Sequence, residues 1–120
     1  MNHKVILEEK FKLIHEHWNP KIAGELNGQY IKLAKLKGEF VWHKHDHEDE
    51  MFLVVKGVLK IEFRDRIETL HPQEFIIVPA GEEHKPIAEE EVEVMLFEPQ
   101  STLNTGNVIE QRTKEKLDRI

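Results

Sequence analysis

The sequence predicts an all-β sandwich or barrel preceded by one short helix. After Pro20, short runs rich in Val, Ile and Phe alternate with Gly, Asn, Asp and Pro about every eight to twelve residues, as in antiparallel β proteins. The tightest predicted turn is Asn27-Gly28 between strands at 22–26 and 30–33, because Asn-Gly readily adopts the positive φ angles of a two-residue hairpin. This pattern predicts about eight to ten strands.

The helix is predicted before the first strand. Apolar side chains recur there at spacings of four, three and four residues, at Leu7, Phe11, Ile14 and Trp18. This is the periodicity of one helix face, and Pro20 ends it. We expect the stripe to pack against the rest of the domain and the intervening His15 and His17 to be exposed.

The later strands differ in their expected burial. Residues 58–63 and 91–97 alternate apolar and polar side chains, which predicts strands with one buried face. Residues 51–55 and 75–78 are apolar throughout, which predicts burial on both faces. Three consecutive glutamates at 89–91 are expected at a solvated hairpin tip.

Length and composition indicate one globular domain. The chain has 120 residues, of which 39% are hydrophobic and 33% charged, and a domain has roughly 100 to 200 residues. We therefore predict a single domain, 1–120, with a radius of gyration of about 14 Å. It comprises an N-terminal strand and helix segment at 4–18, a barrel at about 20–98 and a C-terminal tail at 99–120.

Charge and cysteine content limit the classes of binding partner and the cellular compartment that we expect. The formal net charge is −6 and no block of Lys and Arg occurs, so neither nucleic acid nor an anionic membrane is expected as a partner. No apolar run approaches the roughly 20 residues that span a bilayer, and no signal-peptide core is present. The absence of cysteine excludes disulfides and thiolate metal sites and fits a reducing compartment. We predict a soluble cytoplasmic protein.

Histidine is concentrated in one stretch. Three of the eight histidines lie within residues 42–48. Because side chains at i and i+2 of a strand share a face, His43 and His45 can approach one ion from the same side. The pair is therefore a candidate for two of the ligands of a metal site.

The third ligand is ambiguous on periodicity alone. If the strand runs straight, His47 and Asp49 share the face of the histidine pair. If the chain turns after the pair, Glu50 begins the next strand on the same face as Phe52 and Val54. Both arrangements remain open at this point.

A further candidate ligand lies downstream. In Pro79-Ala80-Gly81-Glu82-Glu83-His84, the proline and glycine predict a tight loop, after which His84 opens another strand. Three imidazoles and one carboxylate would suit Zn, Fe, Ni, Mn or Cu.

The spacing of these residues closely resembles the first sequence motif of the cupin superfamily. That motif contains a glycine, His-x-His, a glutamate three or four residues on, and a second glycine six beyond. The matching residues are Gly38, His43, His45, Glu50 and Gly57.

A second cupin motif is matched in its central part by Pro79-x-Gly81-x-x-His84. Gln73 stands where this motif usually opens with glycine, at a position that shapes a turn rather than binds metal. Together the two motifs cover about half of the chain.

The resemblance implies a fold and a ligand set. The fold is the double-stranded β-helix, a jelly-roll barrel, and Glu50 is favoured over the alternatives as the carboxylate ligand. The implied cofactor is a divalent transition metal, Zn, Fe, Mn or Ni. Its implied ligands are His43, His45, Glu50 and His84. His47 is then expected to be an exposed loop residue.

The resemblance also indicates the type of cupin. The segments flanking the motifs resemble small single-domain cupins of the cupin 2 type, often labelled mannose-6-phosphate isomerase-like, which is a statement of fold rather than activity. Cupins commonly dimerise, so a homodimer is implied in which the segment with Val5, Ile6 and Leu7 pairs with a partner subunit.

Two functions remain open. Four protein ligands leave positions free on a five- or six-coordinate ion, which suits an isomerase or dioxygenase acting on a small oxygen-rich molecule. The alternative is a non-catalytic module that binds or senses a small anionic ligand around a structural metal. No catalytic acid or base is assigned from the sequence.

Overall fold

The computed structural model describes residues 3–120 and contains one short helix and seven strands in that range. The elements are α1 (Leu7–Phe11), β1 (Lys21–Leu26), β2 (Gln29–Glu39), β3 (Glu50–Lys56), β4 (Leu59–Phe63), β5 (Ile67–Leu70), β6 (Phe75–Val78) and β7 (His84–Pro99). All pairings between these strands are antiparallel. The all-β prediction is confirmed, and the radius of gyration is 13.4 Å.

β7 organises the barrel because it pairs with three other strands, β2, β3 and β4. Its pairing with β2 shifts in register between Leu36↔Val92 and Gly38↔Ala88, so residues 89–91 form an irregularity inside a continuous strand. The hairpin tip predicted at these glutamates is therefore wrong, although all three are exposed. This continuity also explains why there are fewer strands than expected.

The barrel interior is built from alternate residues of its strands. Val54 of β3, Leu59 and Ile61 of β4, and Val92 and Val94 of β7 are all fully buried. The alternation predicted for residues 58–63 and 91–97 is therefore confirmed.

Burial on both faces was predicted for 51–55 and 75–78, and this prediction is wrong. Phe75 and Ile77 are 61% and 57% exposed, whereas Val78 is buried. The reason is position, since β6 is the last strand in the order β1-β2-β7-β3-β6 and its outer face is left uncovered. On β3, Phe52 and Val54 are buried but the alternate residues are only half-buried.

The N-terminal segment covers the outer face of β2. Phe11 and Ile14 are buried against Leu33, but the helix ends at Phe11, earlier than the stripe predicted. Trp18 has a positive φ of 60° and stacks on Phe40 at a centroid distance of 4.5 Å. No helix in residues 3–120 is long and apolar enough to cross a membrane.

The C-terminal segment, residues 100–120, lies against the barrel. Thr102 and Thr105 are buried, and the Asn107 N–H donates to the carbonyl oxygen of Lys44 at 2.9 Å. The Arg112 guanidinium lies 4.7 Å from the centre of the Phe40 ring. This segment therefore packs directly on the stretch that carries the histidine pair.

Candidate metal centre

Backbone hydrogen bonds bring the two histidine segments together. The N–H of His43 donates to the carbonyl of His84 at 3.0 Å, and the N–H of His84 donates back at 2.9 Å. The Gly81 N–H donates to the carbonyl of His45 at 2.8 Å. This non-local pairing joins two segments that lie about 40 residues apart in sequence.

The four predicted ligand residues converge on one point. One side-chain atom from each of His43, His45, Glu50 and His84 lies within 4.8 Å of the others. Glu50 Oε1 is 3.3 Å from His45 Nε2 and 3.4 Å from His84 Nε2. Two atoms that are each about 2.1 Å from one ion, at an angle of about 90–110°, lie about 3.0–3.4 Å apart. The separations therefore fit a shared ion.

The same atoms lack hydrogen-bond partners. All four residues are buried, and His45 Nε2, Glu50 Oε1 and His84 Nε2 make no hydrogen bond within residues 3–120. Buried polar atoms are normally paired, because leaving them unpaired is unfavourable. A metal ion would satisfy all of them at once, so the donor set fits such an ion.

Backbone carbonyls orient two of the imidazoles. His43 Nδ1 lies 2.9 Å from the Val41 carbonyl oxygen, and His84 Nδ1 lies 2.9 Å from that of Glu82. If each Nδ1 carries the proton, each Nε2 presents its lone pair to the cluster, as metal-binding histidines require. Nearby acids serve other roles, since Asp49 accepts the N–H of Ala80 at 2.9 Å.

The pKa directions within the cluster follow from burial and charge. Burial, with the nearby His84, lowers the pKa of His43 to about 4. Burial alone would raise the pKa of Glu50, but the close contacts and charges of His45 and His84 outweigh it and the pKa is lowered. Glu50 in turn raises the pKa of His45 despite burial. A metal ion at these atoms would compete with protons for His45 and Glu50.

The remaining histidines of interest lie outside the cluster. His47 is exposed on the loop between the histidine pair and Glu50, as expected. His15, His17 and His71 are exposed as well.

A small cavity of about 40 Å³ lies beside the cluster inside the barrel. Its wall is largely apolar, with His43 and Glu50 at the edge of the cluster. The other lining residues include Trp18, Leu36, Phe40, Leu96, Pro86, Lys32, Glu98 and Asn104.

Two charged residues of this cavity were missed by the sequence analysis. Lys32 and Glu98 are each 2% exposed, and Lys32 Nζ lies 3.6 Å from Glu98 Oε2. Burial raises the pKa of Glu98 well above its usual value, and the charge of Glu50 adds to the effect. The sequence does contain one indication that Lys32 faces the interior. It lies two and four residues before Ala34 and Leu36, so the three side chains share one face of the strand.

The fold and the site define a protein of the cupin class. The family model for the cupin domain, Cupin_2, matches residues 30–98, more than half of the chain. The chain therefore belongs to the cupin family, and the cupin jelly-roll predicted from the two motifs is confirmed.

Individual proteins show the same relationship. A cupin-2 domain protein from Shewanella frigidimarina is 45% identical with a TM-score of 0.79, over 80% of this chain and 94% of that one. Protein NMB1881 from Neisseria meningitidis is 28% identical with a TM-score of 0.75, over 82% and 100%. The uncharacterized Bacillus subtilis protein YdbB is 35% identical over 58% of this chain and 62% of its own length. The chain spans less than two thirds of the length of the curated relatives that it matches.

Proposed function

We propose that this cupin binds a divalent transition metal through His43, His45, Glu50 and His84 and acts there on a small oxygen-rich molecule, by isomerisation or oxygenation. The observation that carries the proposal is the convergence of four buried ligand atoms, three of them without a hydrogen-bond partner in residues 3–120. When bound, such an ion polarises a carbonyl, activates water or, if it is iron, engages dioxygen.

The cavity supports an enzyme over a closed structural site. His43 and Glu50 line it from the cluster side, so a small molecule in the cavity would lie next to the ligand atoms. Apolar side chains, including Leu36, Phe40 and Pro86, form much of the remaining lining and limit contact with bulk water. Charged groups within the cavity would orient such a molecule.

The second candidate is a non-catalytic binding or sensing module. The largely apolar wall of the cavity favours it, because apart from the candidate ligands, Lys32 and Glu98 its described lining offers a bound molecule no acid or base. In this role the same four residues would hold a structural ion, and the bound molecule would leave unchanged.

The first experiment is elemental analysis of protein purified without chelator or affinity nickel, beside the variants His84→Ala and His47→Ala. We expect near-stoichiometric metal in the wild type and in His47→Ala, because His47 is exposed outside the cluster, and loss of metal in His84→Ala. Absence of metal from all three, together with a melting temperature unchanged by Zn, Mn, Ni or Fe, would overturn the metal site.

A second measurement separates the candidate functions. Protein reconstituted anaerobically with Fe(II) is mixed with small 2-oxo and 2-hydroxy acids in an oxygen electrode, and products are followed by mass spectrometry. Substrate-dependent oxygen uptake indicates an oxygenase, and a rearranged product without uptake indicates an isomerase. Binding without either change supports the non-catalytic module.

We also propose a homodimer in the cytoplasm. Val5 and Ile6 are 45% and 42% exposed, and Phe75 and Ile77 leave apolar surface on the edge strand β6, a type of surface that favours association. The cytoplasmic location rests on the absence of cysteine. A mass near 14.2 kDa by light scattering, that of one chain, would overturn the dimer.

A further inference from the structure

Lys32 carries a buried charge that its protein contacts satisfy poorly. Its ammonium is 2% exposed and lies 3.6 Å from Glu98 Oε2, 3.3 Å from the Thr102 carbonyl oxygen and 5.9 Å from the centre of the Tyr30 ring. Charge-assisted N–H···O bonds are normally about 2.7–2.9 Å long. A buried cation held only by longer contacts is unfavourable unless another group approaches it.

The groups around Lys32 are unsatisfied as well. Glu98 Oε2 and Thr102 Oγ1 are buried and have no hydrogen-bond partner in the described chain. Glu98 is 2% and Thr102 6% exposed. Glu98 Oε2 therefore has spare acceptor capacity beside the Lys32 ammonium, and both side chains line the cavity, as expected for a ligand subsite.

The strand register places this cluster next to the candidate metal ligands. Met51 of β3 pairs with Phe97 of β7, so the adjacent residues Glu50 and Glu98 are also opposite each other and face the interior. Lys32 pairs with Leu96 on the other side of β7. Lys32, Glu98 and Glu50 thus line the same cavity.

The charges around the cavity favour an anion. A divalent ion with the Glu50 carboxylate has one net positive charge, and the Lys32 ammonium lines the same cavity. Leu36, Phe40 and Pro86 add apolar surface to the lining of the same cavity. A molecule that fits both is a small carboxylate with a short apolar substituent.

We propose that Lys32 is a specificity-determining residue that makes this cavity select a small 2-oxo or 2-hydroxy carboxylate over a neutral oxygen compound. Lys32 meets the carboxylate, while Glu98 and the Thr102 carbonyl position the ammonium. The proposal rests on the proposed function, because it places the ligand beside the metal cluster.

The test compares one charged and one neutral ligand of the same shape. Zinc-loaded protein is titrated by calorimetry with lactate and with its neutral amide, lactamide, in the wild type, Lys32→Met and Lys35→Met. Lys35 is the matched control because it lies on the same strand but on the opposite face, half-buried. We expect the wild type and Lys35→Met to prefer the carboxylate, and Lys32→Met to lose at least about tenfold of that preference.

A second variant keeps the test decisive if Lys32→Met fails to fold. Lys32→Gln removes the charge but keeps a polar side chain of similar length, so the preference for the carboxylate is expected to fall by a similar factor. An unchanged preference in folded, zinc-loaded Lys32→Met or Lys32→Gln would overturn the role of Lys32, as would a wild type that binds both ligands equally. Those results leave the metal site intact, whereas wild-type protein that cannot be loaded with zinc defeats the proposed function and this inference together.

Discussion

The barrel interior has two parts that are built from the same strands. The polar half holds the candidate ligand cluster, and the apolar half forms the hydrophobic core. On β3, Glu50 and Val54 both point inward four residues apart, one into the ligand cluster and the other into a fully buried apolar core. On β7, Glu98 and Val94 are related in the same way. Identical strand alternation therefore supplies polar groups at one end of the barrel and apolar groups in the middle.

This difference shows how the fold tolerates a site of buried polar groups that lack partners. Burying apolar side chains stabilises the barrel by about 25 cal/mol per Å², whereas burying unpaired carboxylates, imidazoles and an ammonium is unfavourable. The apolar half therefore offsets the polar half until a metal or ligand arrives. Changes in the two halves should have separable effects on stability and on binding.

The largest expected effect comes from the apolar half. Ile61→Ala leaves a cavity among fully buried side chains, so the free energy of unfolding should fall by about 3 kcal/mol. Urea denaturation measures this loss, and zinc titration of the folded variant should give a Kd close to that of the wild type. Ile67→Ala is the matched control, because Ile67 is 55% exposed; equal losses in the two variants would contradict the division.

The polar half should contribute only when metal is present. Zinc at about one hundred times its Kd is expected to raise the free energy of unfolding by about 2.7 kcal/mol. Glu50→Gln removes the only charged oxygen donor of the cluster, and a tenfold weaker Kd would leave about 1.4 kcal/mol at the same zinc concentration.

The control for this measurement is Glu48→Gln, since Glu48 accepts a hydrogen bond from Ser101 at 2.7 Å outside the cluster. It should retain the full zinc-dependent increment. If Glu50→Gln retains that increment too, the carboxylate is not a ligand.

Much of the fold and the composition of the cluster were predictable from local pattern. His43 and His45 share a face because they are two residues apart on an extended segment, and the Asn27-Gly28 hairpin follows from residue type. The choice of Glu50 over His47 needed the family motif, because periodicity alone allowed both. Gln73 shows the limit of a motif, since it adopts the positive φ of 73° that glycine usually provides.

The features that the sequence could not predict depend on which strands become neighbours in the fold. Phe75 and Ile77 have the composition of buried residues, but β6 is an edge strand and its outer face is uncovered. Lys32 lies at an inward position, yet lysine in a strand normally indicates a solvated face. Its burial is set by Glu98 and Thr102, which are 66 and 70 residues away in sequence.

The smallest expected change in zinc affinity tests the contact between the C-terminal segment and the polar half. Gly106 has a φ of 58°, and a Cβ at this position would lie against the carbonyl oxygen of Lys44 and 3.0 Å from His43 Cδ2. Gly106→Ala should therefore lower the free energy of unfolding by more than the roughly 1–3 kcal/mol that a positive φ alone costs, because the Cβ also meets the Lys44 backbone, and it should weaken zinc binding by displacing the His43 imidazole. Gly38→Ala separates strain from contact, because Gly38 also has a positive φ, 87°, but nothing lies within 4 Å of its Cβ position. Denaturation and zinc titration of both variants should show the larger loss of stability in Gly106→Ala, and weaker zinc binding only there; an unchanged zinc Kd in Gly106→Ala would mean that the C-terminal segment does not hold the histidine in place.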